Sequence, residues 1–240
     1  MAKSTAVGGR PRQSGIVTDD PRDGILTAAA SLFAKKGFSA TRMNEIAELS
    51  GLRQSSIYYW FRSKEQILRT IMDQNRVSLM AARALAERKE PAADRLYIVL
   101  YQDVVQMCSA PLNFYDLEEA AIGQPDVFSD FTRDYQELVG RLEAVVRSGL
   151  ASGEFIDFPA ELFVRNALSL NEGSQYRFHT ASGNAEDMHE YADAAAQISV
   201  RALLADVSRL PKVRQAAQDG VAGFRAYREA MQPTGGDQPA

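Results

Sequence analysis

The 240-residue sequence predicts an all-α protein with a three-helix head followed by a larger helical body. Three observations carry that expectation. Apolar residues recur at helical spacing through most of the chain, and no stretch shows the alternation of a half-buried strand. Glycine and proline fall at intervals of roughly one helix, at Gly37, Gly51, Pro91, Pro111, Gly123, Pro125, Gly153, Pro159 and Gly183. Charge is also divided. Met1 to Arg69 carries eleven Lys and Arg against six Asp and Glu, a net +5, so the remainder carries −9 of the overall −4.

Residues 1–20 combine Gly, Ser, Pro, Thr and scattered arginine without periodicity, and are expected to form a disordered arm. The head is expected over 21–68. Ile25, Leu26, Ala29, Leu32 and Phe33 share one stripe of a first helix, which Gly37 ends. Ile46, Ala47 and Leu49 give the second helix an apolar face, with Ala47 small where another helix must cross. Gly51 follows it and can take the left-handed backbone of a helix C-terminus. Leu52 and Ile57 then face inward from a third helix. Its outer side is left with Arg53, Gln54, Ser55, Ser56 and Tyr59. Helix, glycine turn and helix, with hydrogen-bonding side chains on the outer face of the second, is the layout of a helix-turn-helix. That unit sets a recognition helix in the major groove of DNA. Ser63 is placed to cap the next helix. The net −4 ceases to contradict a nucleic-acid partner once the basic head is separated from the acidic body.

Residues 25 to 68, with LFAKKGF, EIAELSGL, IYYWF and SKEQIL in that order, resemble the DNA-binding domain of TetR-family bacterial transcriptional regulators. The resemblance implies a double-stranded operator. It implies phosphate contacts from Tyr58, Lys64, Ser56 and Thr41, the last also capping the preceding helix. It places Asn44, Gln54, Ser55 and Tyr59 at base-reading positions. Two residues depart from the family pattern. Arg42 stands for a second hydroxyl residue, so the capping box with Glu45 is expected to be lost, and Arg42 is expected on phosphate. Arg53 stands near the recognition-helix start, where it could hold a guanine through two hydrogen bonds.

For the body, 69–210, one long helix is expected from Ser63 to Arg88, broken by Pro91. Further helices are expected over Ala92–Ser109, Phe114–Ala121, Asp126–Ala151, Pro159–Thr180 and Ala185–Leu210. Residues 211–231 are expected to form an extra helix weakened by Gly220 and Gly223, and 232–240 a disordered tail. The family resemblance implies that the last two long helices pair with a second subunit. Leu162, Phe163, Ala167 and Leu170 on one, and Ile198, Ala202, Leu203 and Val207 on the other, suit either that homodimer or an internal core.

The resemblance also implies a small-molecule effector held in the body, released operator DNA being the consequence and repression the commoner mode. Candidate lining residues are Tyr97, Tyr101, Met107, Phe114, Tyr115, Phe131, Tyr135, Asn171, Gln175 and Tyr176, suited to a hydrophobic or aromatic molecule. Asn171, Gln175 and His179 share one helix face, whose direction periodicity cannot assign. A body answering to a protein partner, or to no small molecule, is the alternative. Two histidines at no metal-binding spacing, no phosphate loop and no nucleophile elbow argue against an enzyme, a metal or a cofactor. One cysteine, Cys108, excludes an internal disulfide framework. The lack of an apolar run of about 20 residues argues against a membrane span, and a cytoplasmic location is expected.

Overall fold

Asp20 starts the first helix because its carboxylate accepts the backbone N–H of Arg22 at 2.7 Å and Pro21 occupies the first turn, where its missing N–H costs nothing. The structure, a computed structural model, describes residues 20–73, 76–86, 88–181 and 183–231, with side chains as far as Gly223. The arm expected over 1–20 lies, apart from Asp20, outside the described residues, as does the tail from 232. The described elements are α1 (Pro21–Lys36), α2 (Met43–Leu49), α3 (Gln54–Trp60), α4 (Lys64–Asp73), α5 (Val77–Leu85), α6 (Ala92–Ser109), α7 (Phe114–Gly123), α8 (Ser129–Ala151), α9 (Ala160–Thr180), α10 (Ala185–Leu203) and α11 (Leu210–Met231). A 3₁₀ turn at Val207–Arg209 precedes α11. Among the described residues the only extended pairing is an isolated bridge between Phe155 and Leu204. None of the helices is long and apolar enough to cross a membrane.

The chain divides into two compact units, Met1–Ile71 and Met72–Ala240. In the first, Ile25, Ala29, Phe33, Ile46, Ala47, Ile57, Phe61, Ile67 and Leu68 are buried together. Gly37 and Gly51, at φ 82° and 67°, make the two turns that a side chain would strain. In the second, α6 is the central helix, packed against α5, α8, α9, α10 and α11. Thirteen of its residues are buried, which is why it reads as apolar nearly all round. The extra helix joins this core through Val213, Ala217 and Val221. A Cβ at Gly220 would meet Ile98 at 2.5 Å, so this glycine is the close approach of α11 to α6 rather than a weak point.

Three expected boundaries differ. The single helix from Ser63 to Arg88 is replaced by α4 and α5; Arg76, at φ −108° and ψ 1°, has left α-helical geometry. Residues 74–75 between them lie outside the described residues. The segment at Asp126 becomes helical only from Ser129, after Phe128, whose ring is buried. The helix expected to reach Leu210 stops at Leu203. There Ile156 N–H donates to Leu203 O at 2.8 Å and Ala205 N–H to Glu154 O at 3.0 Å, diverting the chain into the bridge. The loop making that bridge is fixed by Phe155, whose ring fills the space beside Gly149; a Cβ there would fall 2.2 Å from it.

Candidate DNA interface and body site

α3 turns one residue inward and the rest outward. Ile57 is fully buried, whereas Arg53, Gln54, Ser55, Tyr58 and Tyr59 are exposed and Ser56 is half-buried; Tyr59 is 83% exposed. Tyr59 and Trp60 stand edge to face, ring centroids 5.3 Å apart. Arg53 is the residue that starts α3, in extended conformation with no side-chain capping bond. Arg42 and Asn44 are exposed at the start of α2. Neither Arg42 nor Arg53 forms an ion pair among the described residues. The outer face of α3 therefore carries a guanidinium, an amide and hydroxyls that the fold has not consumed.

Behind this face the α1–α2 corner is tightly held, and three expectations change. Thr41 is buried, and its hydroxyl donates to Gly37 O at 2.9 Å, so it secures the end of α1 and is not presented to phosphate. Lys64 folds back under the corner. Its ammonium donates to Phe38 O, Ser39 O and Thr41 O at 2.8, 3.1 and 3.2 Å and lies 4.5 Å from the centre of the Phe38 ring. Three donors meet three carbonyls, so its side chain acts as a clamp instead of reaching outward. The capping box is half kept rather than lost. Glu45 still accepts the Arg42 backbone N–H at 2.8 Å, while the arginine side chain, having no acceptor, cannot return the bond. Lys36 grips the same carboxylate at 2.5 Å, and these bonds, the Lys36 one foremost, hold the Glu45 carboxyl below its usual range. Ser63 caps α4 as expected, accepting Gln66 N–H at 3.3 Å.

In the body, the ten expected lining residues do not converge on one site. Tyr97 is sealed: its hydroxyl donates to the Asp193 carboxylate, which also accepts from Arg214 at 2.7 Å and Gln197 at 2.7 Å. Burial, with this partner, pushes the Tyr97 phenol upward. It is a rivet between α6, α10 and α11. Tyr101 meets His189 Nδ1 at 2.8 Å, the two rings stacked. Tyr176 is exposed on the outer side of α9, and Met107 is buried core. The face of Asn171, Gln175 and His179 does look inward, onto α6. Gln175 is spent there: Nε2 donates to Met107 O and Leu112 O at 2.6 and 3.1 Å, and Oε1 accepts Phe114 N–H at 2.8 Å. His179 lies 3.1 Å from Asn113 Oδ1 and 3.3 Å from Cys108 O. Gln175 and His179 thus latch the α6–α7 connection and are not lining groups.

Four of the expected residues do come together. Phe114 lies 5.2 Å from Tyr135, 5.8 Å from Phe131 and 6.5 Å from Tyr115, centroid to centroid. Next to these rings the structure places acids that the sequence reading left out. Asp103, buried on α6, accepts from Asn171 Nδ2 at 3.0 Å and Gln106 Nε2 at 3.2 Å. Glu172, buried on α9, faces the Tyr115 phenol. Burial pushes the Asp103 carboxyl upward, and burial with the negative charges of Asp103 and Glu118 pushes Glu172 up to about 7. The available signal was a carboxylate, Asp103, in the middle of a helix that is mostly apolar.

Residues 25–71 match the model of bacterial regulatory proteins of the tetR family. Over this segment the chain is a tetR-family DNA-binding domain. It is 32% identical over 135 residues to the HTH-type transcriptional regulator RutR of Escherichia coli K12, an alignment covering 54% of this chain and 62% of RutR. It is 30% identical over 146 residues to the HTH-type transcriptional repressor KstR2 of Rhodococcus jostii, covering 53% of this chain and 66% of KstR2. The aligned segments thus span less than two thirds of these relatives. Among solved structures, AmtR of Mycobacterium smegmatis is 25% identical with a TM-score of 0.63, over 88% of this chain and 99% of AmtR.

Proposed function

We propose that this protein is a dimeric, sequence-specific DNA-binding regulator of the tetR family, a repressor that leaves a palindromic operator when a small effector binds its body. The observation that carries the reading is the division of α3, with Ile57 anchored in the core and every hydrogen-bonding side chain from Arg53 to Tyr59 except half-buried Ser56 exposed. Arg53, Gln54, Ser55 and Tyr59 read base edges, with Asn44 contributing from α2. Arg42, Ser56 and Tyr58 hold phosphates. The +5 charge of residues 1–69 supplies the attraction common to all duplexes. RutR and KstR2, with their HTH-type names, support the assignment.

The dimer reading rests on α9 and α10. Phe163, Ala167 and Leu203, which suited either a homodimer or an internal core, are buried in the body. One stripe left outside on α9 is Leu162, Asn166, Ser169, half-buried Gly173 and Tyr176, spaced alternately four and three residues, the period of a helix-pairing seam; exposed Glu161, Arg165 and Arg177 flank it. On α10 one exposed stripe is Ala194, Ile198 and Ala202, beside exposed Glu190 and Arg201. Large apolar side chains left outside, with Leu162 and Ile198 at least half exposed, suit a second copy of the chain.

Selection from random duplexes, followed by binding to the enriched sequence across a salt series, tests this reading. A palindromic product is expected, bound roughly a thousandfold or more tighter than scrambled DNA and weakening steeply as salt rises. Equal binding to both duplexes at every salt concentration would refute it.

A further inference from the structure

The buried polar cluster of the body has acceptors and negative charge in excess. Asp103 is held by neutral donors only, the amides of Asn171 and Gln106 and the Ser78 hydroxyl. Asn171 is completely buried. Its Nδ2 donates to Asp103 and to Leu100 O at 3.2 Å, while its Oδ1, on the same amide, has no hydrogen-bond partner. The next residue is Glu172, 9% exposed. Among the described residues no Lys, Arg or His forms an ion pair with either carboxyl. Two buried carboxyls with no cation beside them, and a buried acceptor with nothing to accept, are both costly, and a fold retains them where something else supplies the complement. The complement is positive and carries N–H donors. Beside the carboxyls lie Tyr115 and Tyr135, with Phe114 packed on both, and aromatic rings attract cations.

We infer that Asp103, Asn171 and Glu172, with the rings of Phe114, Tyr115 and Tyr135, form the effector site, and that the effector is an organic cation: an amine or amidine on an apolar or aromatic frame. This rests on the proposal that the body answers to a small molecule, and it names that molecule's charge. A bare metal ion fits less well, since no group of three or more metal-ligating side chains exists among the described residues. An anion meets two carboxyls. A neutral apolar molecule leaves Asn171 Oδ1 unpaired. The groups facing Glu172 are Tyr115 and Glu118 on α7, Asp103 on α6 and Tyr135 on α8; the basic group acting on this Tyr135 is the exposed Arg165 of α9, which pairs with Glu161. Burial raises both carboxyls, Glu172 to about 7, so an arriving cation displaces a proton from the Glu172 carboxyl near neutral pH.

The experiment is a calorimetric titration of the full chain with phenethylamine and benzamidine, and with their uncharged counterparts phenethyl alcohol and benzamide. Near neutral pH it is run in two buffers that differ in ionisation enthalpy. At least one cation is expected to bind and to release protons, and its neutral counterpart to bind far more weakly. Glu172→Gln and Asp103→Asn are each expected to lose about thirtyfold or more of the cation's affinity, with binding to the selected operator unchanged. If Asp103→Asn does not fold, Glu172→Gln, at the edge of the cluster, decides alone. The inference is overturned if neutral and charged probes bind alike, if neither cation binds at millimolar concentration, or if Glu172→Gln binds them as the parent does. Failure of the unliganded chain to select an operator would sink the proposed function, and leaves the titration readable on its own.

Discussion

The outer face of α3 and the inward face of α9 look alike in sequence, and the structure uses them in opposite ways. Both are short runs of amides and hydrogen-bonding side chains at helical spacing. On α3 they point to solvent with their hydrogen-bonding capacity unspent. On α9, Gln175 and His179 are spent on the backbone and side chains of the α6–α7 connection. Polar residues on a helix become ligand groups only where the fold leaves them without partners. In the body that condition holds at Asn171 Oδ1 rather than along the whole face.

The sharpest way to break this contrast is Gln175→Ala. It strands the Phe114 N–H and the Leu112 carbonyl in the interior, while Met107 O keeps the Ala110 N–H, and should lower stability by about 2–3 kcal/mol, each buried orphan costing about 1–3 kcal/mol. Urea unfolding measures it. A loss below about 0.5 kcal/mol would mean that Gln175 is available after all.

The counterpart in the head is Arg53→Ala. With no ion pair to lose among the described residues, stability should stay within about 0.5 kcal/mol, while operator affinity falls by about 1–3 kcal/mol. Anisotropy on the selected duplex separates base reading from simple attraction. A guanine contact relaxes the preference at one base pair, whereas a general charge effect weakens all duplexes equally.

Lys64→Met tests whether the clamp is also a phosphate contact. Removing three charge-assisted bonds to the α1–α2 corner should cost about 1–2 kcal/mol of stability. The slope of log affinity against log salt should not change. A slope reduced by about 0.9 would show that the ammonium leaves the corner and neutralises a phosphate.

These cases show where sequence was a sufficient guide. The head was legible because its pattern is local: Gly37, Gly51, Ile57 and Ser63 do in the structure what their spacing required. Thr41 and Lys64 misled because their partners are carbonyls at or beyond the end of α1, and no pattern of side chains reveals a main-chain acceptor. In the body, helix positions followed from Pro91, Pro111 and the apolar stripes. The end of α10 did not, since it is set by a bridge to Phe155, nearly fifty residues earlier. Asp103 was missed for the same reason. What holds it comes from Asn171 on another helix, a meeting that periodicity along one helix cannot express.

The smallest effect concerns the pH dependence of the unliganded body. Glu172 has its carboxyl raised to about 7 from the usual value of 4.5, chiefly by burial and then by Asp103 and Glu118. A raised carboxyl means that the folded state holds a proton the unfolded chain has already released. Its contribution is therefore favourable at low pH, declines as pH rises through 4.5, and levels off above about 7. While one such group titrates, stability changes by at most about 1.4 kcal/mol per pH unit. Asp94, raised to about 6 mainly by burial, slopes the same way, so the parent protein should lose stability across this window from at least two sources. Glu137, held down at about 2 by Arg83 and Arg141, acts below the window and does not offset them. Glu172→Gln should flatten the decline without abolishing it, leaving the share of Asp94. Thermal unfolding at pH 4.5, 6 and 7.5 resolves the difference. An unchanged slope in the variant would place the Glu172 carboxylate in contact with water or a cation, and the body would then lack the unpaired negative charge that distinguishes its site from the solvent-facing polar groups of α3.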